Sequence, residues 1–218
     1  MVLFDLDGTL VDTVATRLEA WLAAFGEFQI QARRDDVAGL IGSDGKRLAR
    51  IVAESAGTPV TRERADEIDR RAGEIYNRLN TNPRPLPGVR DSLAGLDARG
   101  ITWAIATSSL EAQVRASVEA LQLPRRPMIV DGSHVEHAKP APDLLVEASQ
   151  RLRTAPERTW YAGDSVWDVQ AASAAGMPSV GVTTGFARAG DLEAAGAWAV
   201  LERLDGLLEL IDGASKRT

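Results

Sequence analysis

The chain has 218 residues, enough for one substantial hydrophobic core with a modest insert, and its 44% apolar and 26% charged residues are ordinary for a globular protein. A formal charge of −6 argues against general nucleic-acid binding, which needs a basic face, and the lack of cysteine excludes disulfides and thiolate metal sites. No apolar run approaches the roughly 18–20 residues of a membrane span, which predicts no membrane partner.

The first element is a short apolar run, Val2-Leu3-Phe4, leading straight into Asp5-Leu6-Asp7-Gly8-Thr9. A run that short, closed by glycine, predicts a buried strand ending in a turn. The strand pattern begins at once, which predicts no cleavable leader and a cytoplasmic location. Alternation along a strand puts Asp5 and Asp7 on one face; if the turn already starts at Asp7, its carbonyl is presented instead. Two close carboxylates repel, and either a divalent cation or a shared proton relieves them.

A helical block follows, with no convincing strand between about residues 16 and 82. Val14, Leu18, Trp21, Leu22 and Phe25 recur at helical spacing, and Gly26 offers a stop. Leu48, Ile51 and Val52 resume the period after the loop Gly42-Ser43-Asp44-Gly45, and residues 62–79 form an amphipathic helix. Residues 82–88 hold prolines at 83, 85 and 87, a stiff extended connector. With a second connector near residues 10–14, this predicts a helical cap, residues 15–83, hinged on a core made of 1–14 and 84–218.

From residue 88 the pattern alternates. Helices are predicted at 89–99, 142–152 and 168–175, another follows Thr107-Ser108-Ser109 and runs to about residue 121, and a helical turn lies at 192–195. Strands are predicted at 101–106, 127–130, 159–162, 179–182 and 197–200, and a frayed tail at 213–218. The fold class is therefore α/β, a doubly wound, mostly parallel, Rossmann-like sheet with an inserted all-helical cap.

Such sheets place ligands beyond the carboxyl ends of their strands. The residues predicted there are Asp5 and Asp7, Thr107 and Ser108, Lys139 in its proline-rich loop, and Asp164 with Asp168. Singly, each has a plain reading as a helix cap, a turn or a surface charge; together they suit phosphoryl transfer from a monoester. One carboxylate can attack phosphorus, another can move the proton, and Mg²⁺ suits carboxylate and carbonyl oxygens. Trp21, Trp103 and Trp160 are predicted to pack the core, while Trp167 is open between site edge and helix packing. His134 and His137 are predicted as loop or substrate-contact residues, and Thr183-Thr184-Gly185-Phe186 as a turn.

Phe4-Asp5-Leu6-Asp7-Gly8-Thr9-Leu10-Val11-Asp12-Thr13 resembles the nucleophile motif of the haloacid dehalogenase-like (HAD) phosphohydrolases, and the segments carrying Thr107, Lys139 and Asp164 resemble their other three motifs in order. The resemblance implies that Asp5 is the nucleophile and Asp7 the general acid/base, with Gly8 supporting their turn. Thr107, with Ser108 beside it, would bind the phosphoryl group, and Lys139 would stabilise nucleophile and phosphate. Mg²⁺ would be held by Asp5, Asp164 and the Asp7 carbonyl, with Asp168 supporting the metal and Lys139. The helical insert resembles the family's C1 cap.

The activity so implied is a Mg²⁺-dependent phosphatase acting on a small phosphorylated metabolite, in a monomer or weak dimer. The alternatives are a sugar phosphomutase of the β-phosphoglucomutase type or a catalytically idle binding protein. Those mutases carry a cap-loop lysine just before a glycine; Ile41 stands there, with Lys46 or Arg47 as possible replacements. Asp7 argues against dehalogenation. Residues 42–47, Arg17 and His134 are the candidates for choosing the substrate.

Overall fold

The computed structural model describes residues 1–215. In chain order the elements are β1 (Val2–Phe4), α1 (Val14–Glu27), α2 (Arg34–Ala38), α3 (Gly45–Ser55), α4 (Arg62–Leu79), α5 (Val89–Ala98), β2 (Trp103–Ala106), α6 (Glu111–Ala120), β3 (Ile129–Val130), α7 (Asp143–Arg151), β4 (Trp160–Gly163), α8 (Val166–Ala174), β5 (Ser179–Val182), α9 (Ala189–Ala194), β6 (Ala199–Leu201) and α10 (Leu207–Ser215). The six strands pair in the order β3-β2-β1-β4-β5-β6, every pair parallel. β1 therefore lies between β2 and β4, where the winding changes direction, and a parallel sheet binds its ligand at that switch point.

Alternation along the strands divides the core into two layers. Val2, Phe4, Ile105 and Val180 face α5 and α10, while Leu3, Ala104 and Tyr161 face α7 and α8. Both faces are covered, so the strands carry apolar residues throughout instead of alternating with polar ones. The four helices α1–α4 share a third cluster of their own, built on Leu18, Phe25, Leu48, Ile68 and Tyr76.

The two connectors run side by side. Asp12 N–H donates to the Arg84 carbonyl at 2.9 Å, and Leu86 N–H to the Leu10 carbonyl at 3.0 Å. Proline at 85 and 87 is tolerated because the hydrogen-bonding residues of this segment are Arg84 and Leu86.

Some expectations need correction. α1 does not stop at Gly26 but ends at Glu27, and the chain turns instead at Gln29, whose φ is 59°. The reason is packing: Phe25 anchors the last turn in the helical cluster, and Ile30 N–H returns to its carbonyl. α10 is a helix outside the predicted elements; Leu207, Leu208, Leu210 and Ile211 lay its apolar side on the face carrying α5. Residues 213–215 belong to that helix and are not a frayed tail, and residues 216–218 lie outside the described residues.

Candidate active site

β1 ends at Phe4, and Asp5 follows it with its N–H on the Ala162 carbonyl of β4 at 2.9 Å. Gly8, at φ 83°, then turns the chain so tightly that its N–H reaches the Val11 carbonyl at 2.8 Å. A side chain at Gly8 is excluded twice, by the left-handed φ and by Asp164, whose Oδ2 would stand 2.4 Å from a Cβ there. Asp5, Asp7, Thr107, Ser108, Lys139 and Asp164 all line one cavity between the strand ends and the helical insert. The predicted site residues are thus brought together.

Lys139 is only 1% exposed, and a buried ammonium has to be paired. Its Nζ donates to Asp5 Oδ1 at 2.7 Å, to Asp168 Oδ1 at 2.6 Å and to the Tyr161 hydroxyl at 3.3 Å. Burial disfavours its charge, but Asp168 and Asp5 outweigh that and hold the proton above the ordinary lysine range. Asp168 Oδ2 accepts from the Ser165 N–H at 3.0 Å and from its hydroxyl at 2.5 Å. With both oxygens engaged, Asp168 positions the lysine.

The carboxylates are under-neutralised. Burial pushes the Asp5 carboxyl up to about 7 in spite of Lys139, and burial with the charges of Asp168 and Asp5 drives Asp164 well above its usual range. Among the described residues Asp164 accepts only the Thr9 hydroxyl, at 3.1 Å. One oxygen from each of Asp5, Asp164 and Asp168 falls within 4.8 Å of the others. A crowd of hard oxygen donors short of positive charge fits a hard divalent cation.

Asp7 has a different environment. Oδ1 accepts from the Thr13 hydroxyl at 2.6 Å and the Tyr76 hydroxyl at 2.8 Å; Oδ2 accepts from Arg17 at 2.7 Å and the Ser109 hydroxyl at 2.6 Å. Burial opposes ionisation, yet the Arg17 guanidinium and these hydroxyls prevail and hold the carboxyl below its ordinary range. Arg17 also gives its other nitrogen to Gln113 at 2.9 Å. Sequence reasoning had Arg17 only as a substrate contact and missed Tyr76, Ser109 and Gln113 as site residues.

Other positions sort themselves by place. Thr107 is buried, with its N–H on the Val130 carbonyl and its hydroxyl oxygen accepting from Ser109 N–H. The Ser108 hydroxyl reaches across to the Gly42 carbonyl at 3.4 Å. Trp21, expected only in the core, is also a wall of the cavity. Trp167 packs against the helical insert, donating to the Gly39 carbonyl at 3.1 Å with Arg47 stacked over its ring. The turn at 183–186 touches the site: the Thr184 hydroxyl donates to the Gly8 carbonyl at 2.5 Å, and a Cβ on Gly185 would be 1.8 Å from Asp164. His134 and His137 do not line this cavity; they sit beside Asp131 and Asp143. Of residues 42–47, Gly42, Ser43 and Gly45 line the cavity, whereas Asp44, Lys46 and Arg47 line a separate outer groove.

Asp69 of α4, which the sequence reading did not single out, lines the cavity as well. Burial, then the charge of Asp44, raises its carboxyl from 3.8 to about 6, with Asp66 adding to the effect and Lys46 and Arg17 opposing it. A folded-state value above the unfolded one means that stability is lost as pH rises from about 4 through 6. Asp69→Asn is therefore expected to match wild type near pH 4 and to exceed it at pH 7, by on the order of 1–3 kcal/mol. Urea unfolding of both proteins at the two pH values checks this.

The sequence profile described as haloacid dehalogenase-like hydrolase matches residues 2–182. A probable phosphatase, IndB of Dickeya dadantii, is 31% identical over 199 residues, covering 89% of this chain and 86% of the relative. A phosphoglycolate phosphatase of Escherichia coli K12 is 32% identical over 217 residues, covering 85% of this chain and 81% of the relative. Among solved structures, a hydrolase from Pseudomonas syringae superposes with a TM-score of 0.90 at 31% identity, over 97% of each chain.

Proposed function

The chain belongs to the haloacid dehalogenase-like hydrolases, and from that premise we propose that it is a Mg²⁺-dependent phosphatase of a small phosphorylated metabolite, working through an aspartyl phosphate. The observation that carries this reading is Asp5, buried at a strand end and held by Lys139 in a cavity that Asp7, Thr107 and Asp164 share.

In the proposed reaction an Asp5 carboxylate oxygen attacks phosphorus in line, and the bond to the ester oxygen breaks. Asp7 gives its proton to that leaving oxygen. Asp7 then takes a proton from water as the water attacks the phosphoryl group, the bond to Asp5 breaks, and phosphate leaves. Lys139 and the Thr107 hydroxyl hold phosphoryl oxygens, with Ser108 at their side. Asp5, Asp164 and the Asp7 carbonyl would hold Mg²⁺, since the Asp7 carboxylate and both Asp168 oxygens already have partners. Bound there, Mg²⁺ supplies charge neutralisation of the phosphoryl group.

Residues 15–83 would act as a cap on a core of 1–14 and 84–218. The separate hydrophobic cluster of α1–α4 and the paired connectors support that division. Arg17 and Tyr76 both reach Asp7 from the cap. An open cap would withdraw them, leaving Asp7 free to take up the proton it later donates, and closure would exclude water.

Hydrolysis is favoured over mutase chemistry by the cap wall. Ile41 is buried, Lys46 pairs with Asp66 at 3.5 Å, and neither Lys46 nor Arg47 enters the cavity to grip a second phosphate.

Phosphate release from a panel of sugar phosphates, phosphoglycolate and nucleotides, with Mg²⁺ titrated, tests the reading. Turnover of several monoesters without a bisphosphate activator is expected, and Asp164→Ala is expected to raise the half-saturating Mg²⁺ concentration at least about tenfold. Glucose 1-phosphate isomerising far faster than it releases phosphate would overturn hydrolysis in favour of the mutase.

A further inference from the structure

The cap side of the cavity carries several polar groups, and among the described residues all but one are committed. Arg17 gives one nitrogen to Asp7 and Ser109 and the other to Gln113. The Tyr76 hydroxyl goes to Asp7, and the Ser43 hydroxyl to the Leu40 carbonyl at 2.7 Å. Trp21, Ile41, Leu48 and Ala72 make the rest of that wall apolar. The remaining group is Asp69. Its carboxylate accepts no hydrogen bond among the described residues, and it lies against Gly45, where a Cβ would be 2.0 Å from Oδ1. A larger residue at Gly45 would displace the carboxylate from this place.

A carboxylate placed without partners across a cavity from a phosphoryl site has one kind of contact to offer. It only accepts hydrogen bonds, and it repels anions. A phosphoryl group held at Asp5, Thr107 and Lys139 would leave its ester substituent facing the rest of this cavity, which Asp69 also lines. We propose that Asp69 is a specificity-determining residue that selects phosphomonoesters whose leaving group carries a hydrogen-bond donor, a hydroxyl or an ammonium, and rejects those that carry a carboxylate. The proposal rests on the phosphatase reading and names its substrate class. The raised carboxyl described above agrees with it: Asp69 costs the free protein stability, which a substrate donor would restore. A site built to hydrogen-bond its substrate rejects an analogue that leaves the buried group unpaired.

The experiment uses the purified full chain with Mg²⁺ and four ester series of two, three and four carbons, so that the reach to Asp69 is covered. The leaving groups end in a methyl, a hydroxyl, an ammonium or a carboxylate, the last beginning with phosphoglycolate. For the wild type, kcat/KM is expected to favour the hydroxyl or ammonium ester over the methyl one by roughly ten- to hundredfold, and over the carboxylate ester by more. Whichever donor series is preferred identifies the source of the donor.

In Asp69→Asn the donor-to-carboxylate ratio is expected to fall at least about tenfold, mainly through KM, because an amide can also donate to a carboxylate. A variant that slows all four series equally, leaving the ratio unchanged, assigns Asp69 a structural role and overturns the proposal. So does a wild type that turns over p-nitrophenyl phosphate but does not discriminate within the series, a result that spares the phosphatase reading. No turnover of any ester overturns both.

Discussion

Asp5→Asn is expected to lower phosphate release by about 10⁴-fold or more, the scale on which removing a covalent nucleophile acts. The amide has nearly the same shape, but its oxygen is too weak a nucleophile to attack phosphorus. The fold should survive, because Lys139 keeps Asp168 as its counter-charge at 2.6 Å. Burial disfavours the charged form of Asp5, so replacing it by a neutral group should leave the melting temperature of the metal-free protein at or above that of wild type. Phosphate release and a thermal melt on the same sample decide it. Activity within a few-fold of wild type would remove Asp5 from the nucleophile role.

Lys139→Met is expected to be the most damaging single change to stability in the site. The side chain is almost fully buried between Asp5 and Asp168, and its loss leaves two carboxylates without a counter-charge in a low-dielectric interior. Breaking one side of a buried ion pair costs about 3–5 kcal/mol, much more than replacing the whole set by neutral groups. Lys139→Met is therefore expected to unfold at clearly lower denaturant in the presence of a chelator, and its turnover to be lost. Adding Asp168→Asn to the variant should recover part of the stability by removing one orphaned charge. A loss below about 1 kcal/mol in the single variant would show that solvent reaches the site and screens it.

The parts of the site that were legible in the sequence share a property. Asp5, Asp7, Thr107, Lys139 and Asp164 each lie just after a predicted strand or in the loop that follows one, and a parallel sheet gathers such positions at one edge whatever the intervening chain does. The fold class was legible for the same reason: apolar runs closed by turn residues, alternating with helical periods, admit few architectures. The strand limits were off by a residue or two at several ends, and β3 shrank to two residues at the sheet edge, where only one neighbour pairs with it.

What the sequence could not show arises from contacts between distant elements. Arg17 is expected only as a candidate for choosing the substrate, yet in the fold it meets Asp7, Ser109 and Gln113, the last two more than 90 residues away. Tyr76 lies in the helical cluster of the cap, but its hydroxyl extends beyond it to Asp7. Trp21 fits a core-packing period and Trp167 is open between site edge and helix packing; only the docking of the helices on the sheet decided that one walls the cavity and the other braces the cap loop.

Residue pattern and local spacing determined by themselves that this chain builds a parallel α/β sheet with a helical insert, and which carboxylates, hydroxyl and lysine gather at its active edge. Tertiary structure alone decided which groups surround Asp7 and that Asp69 faces the cavity. The physical reason is that periodicity reports which face of an element is buried, while the partner on that face is set by packing between elements far apart in the chain.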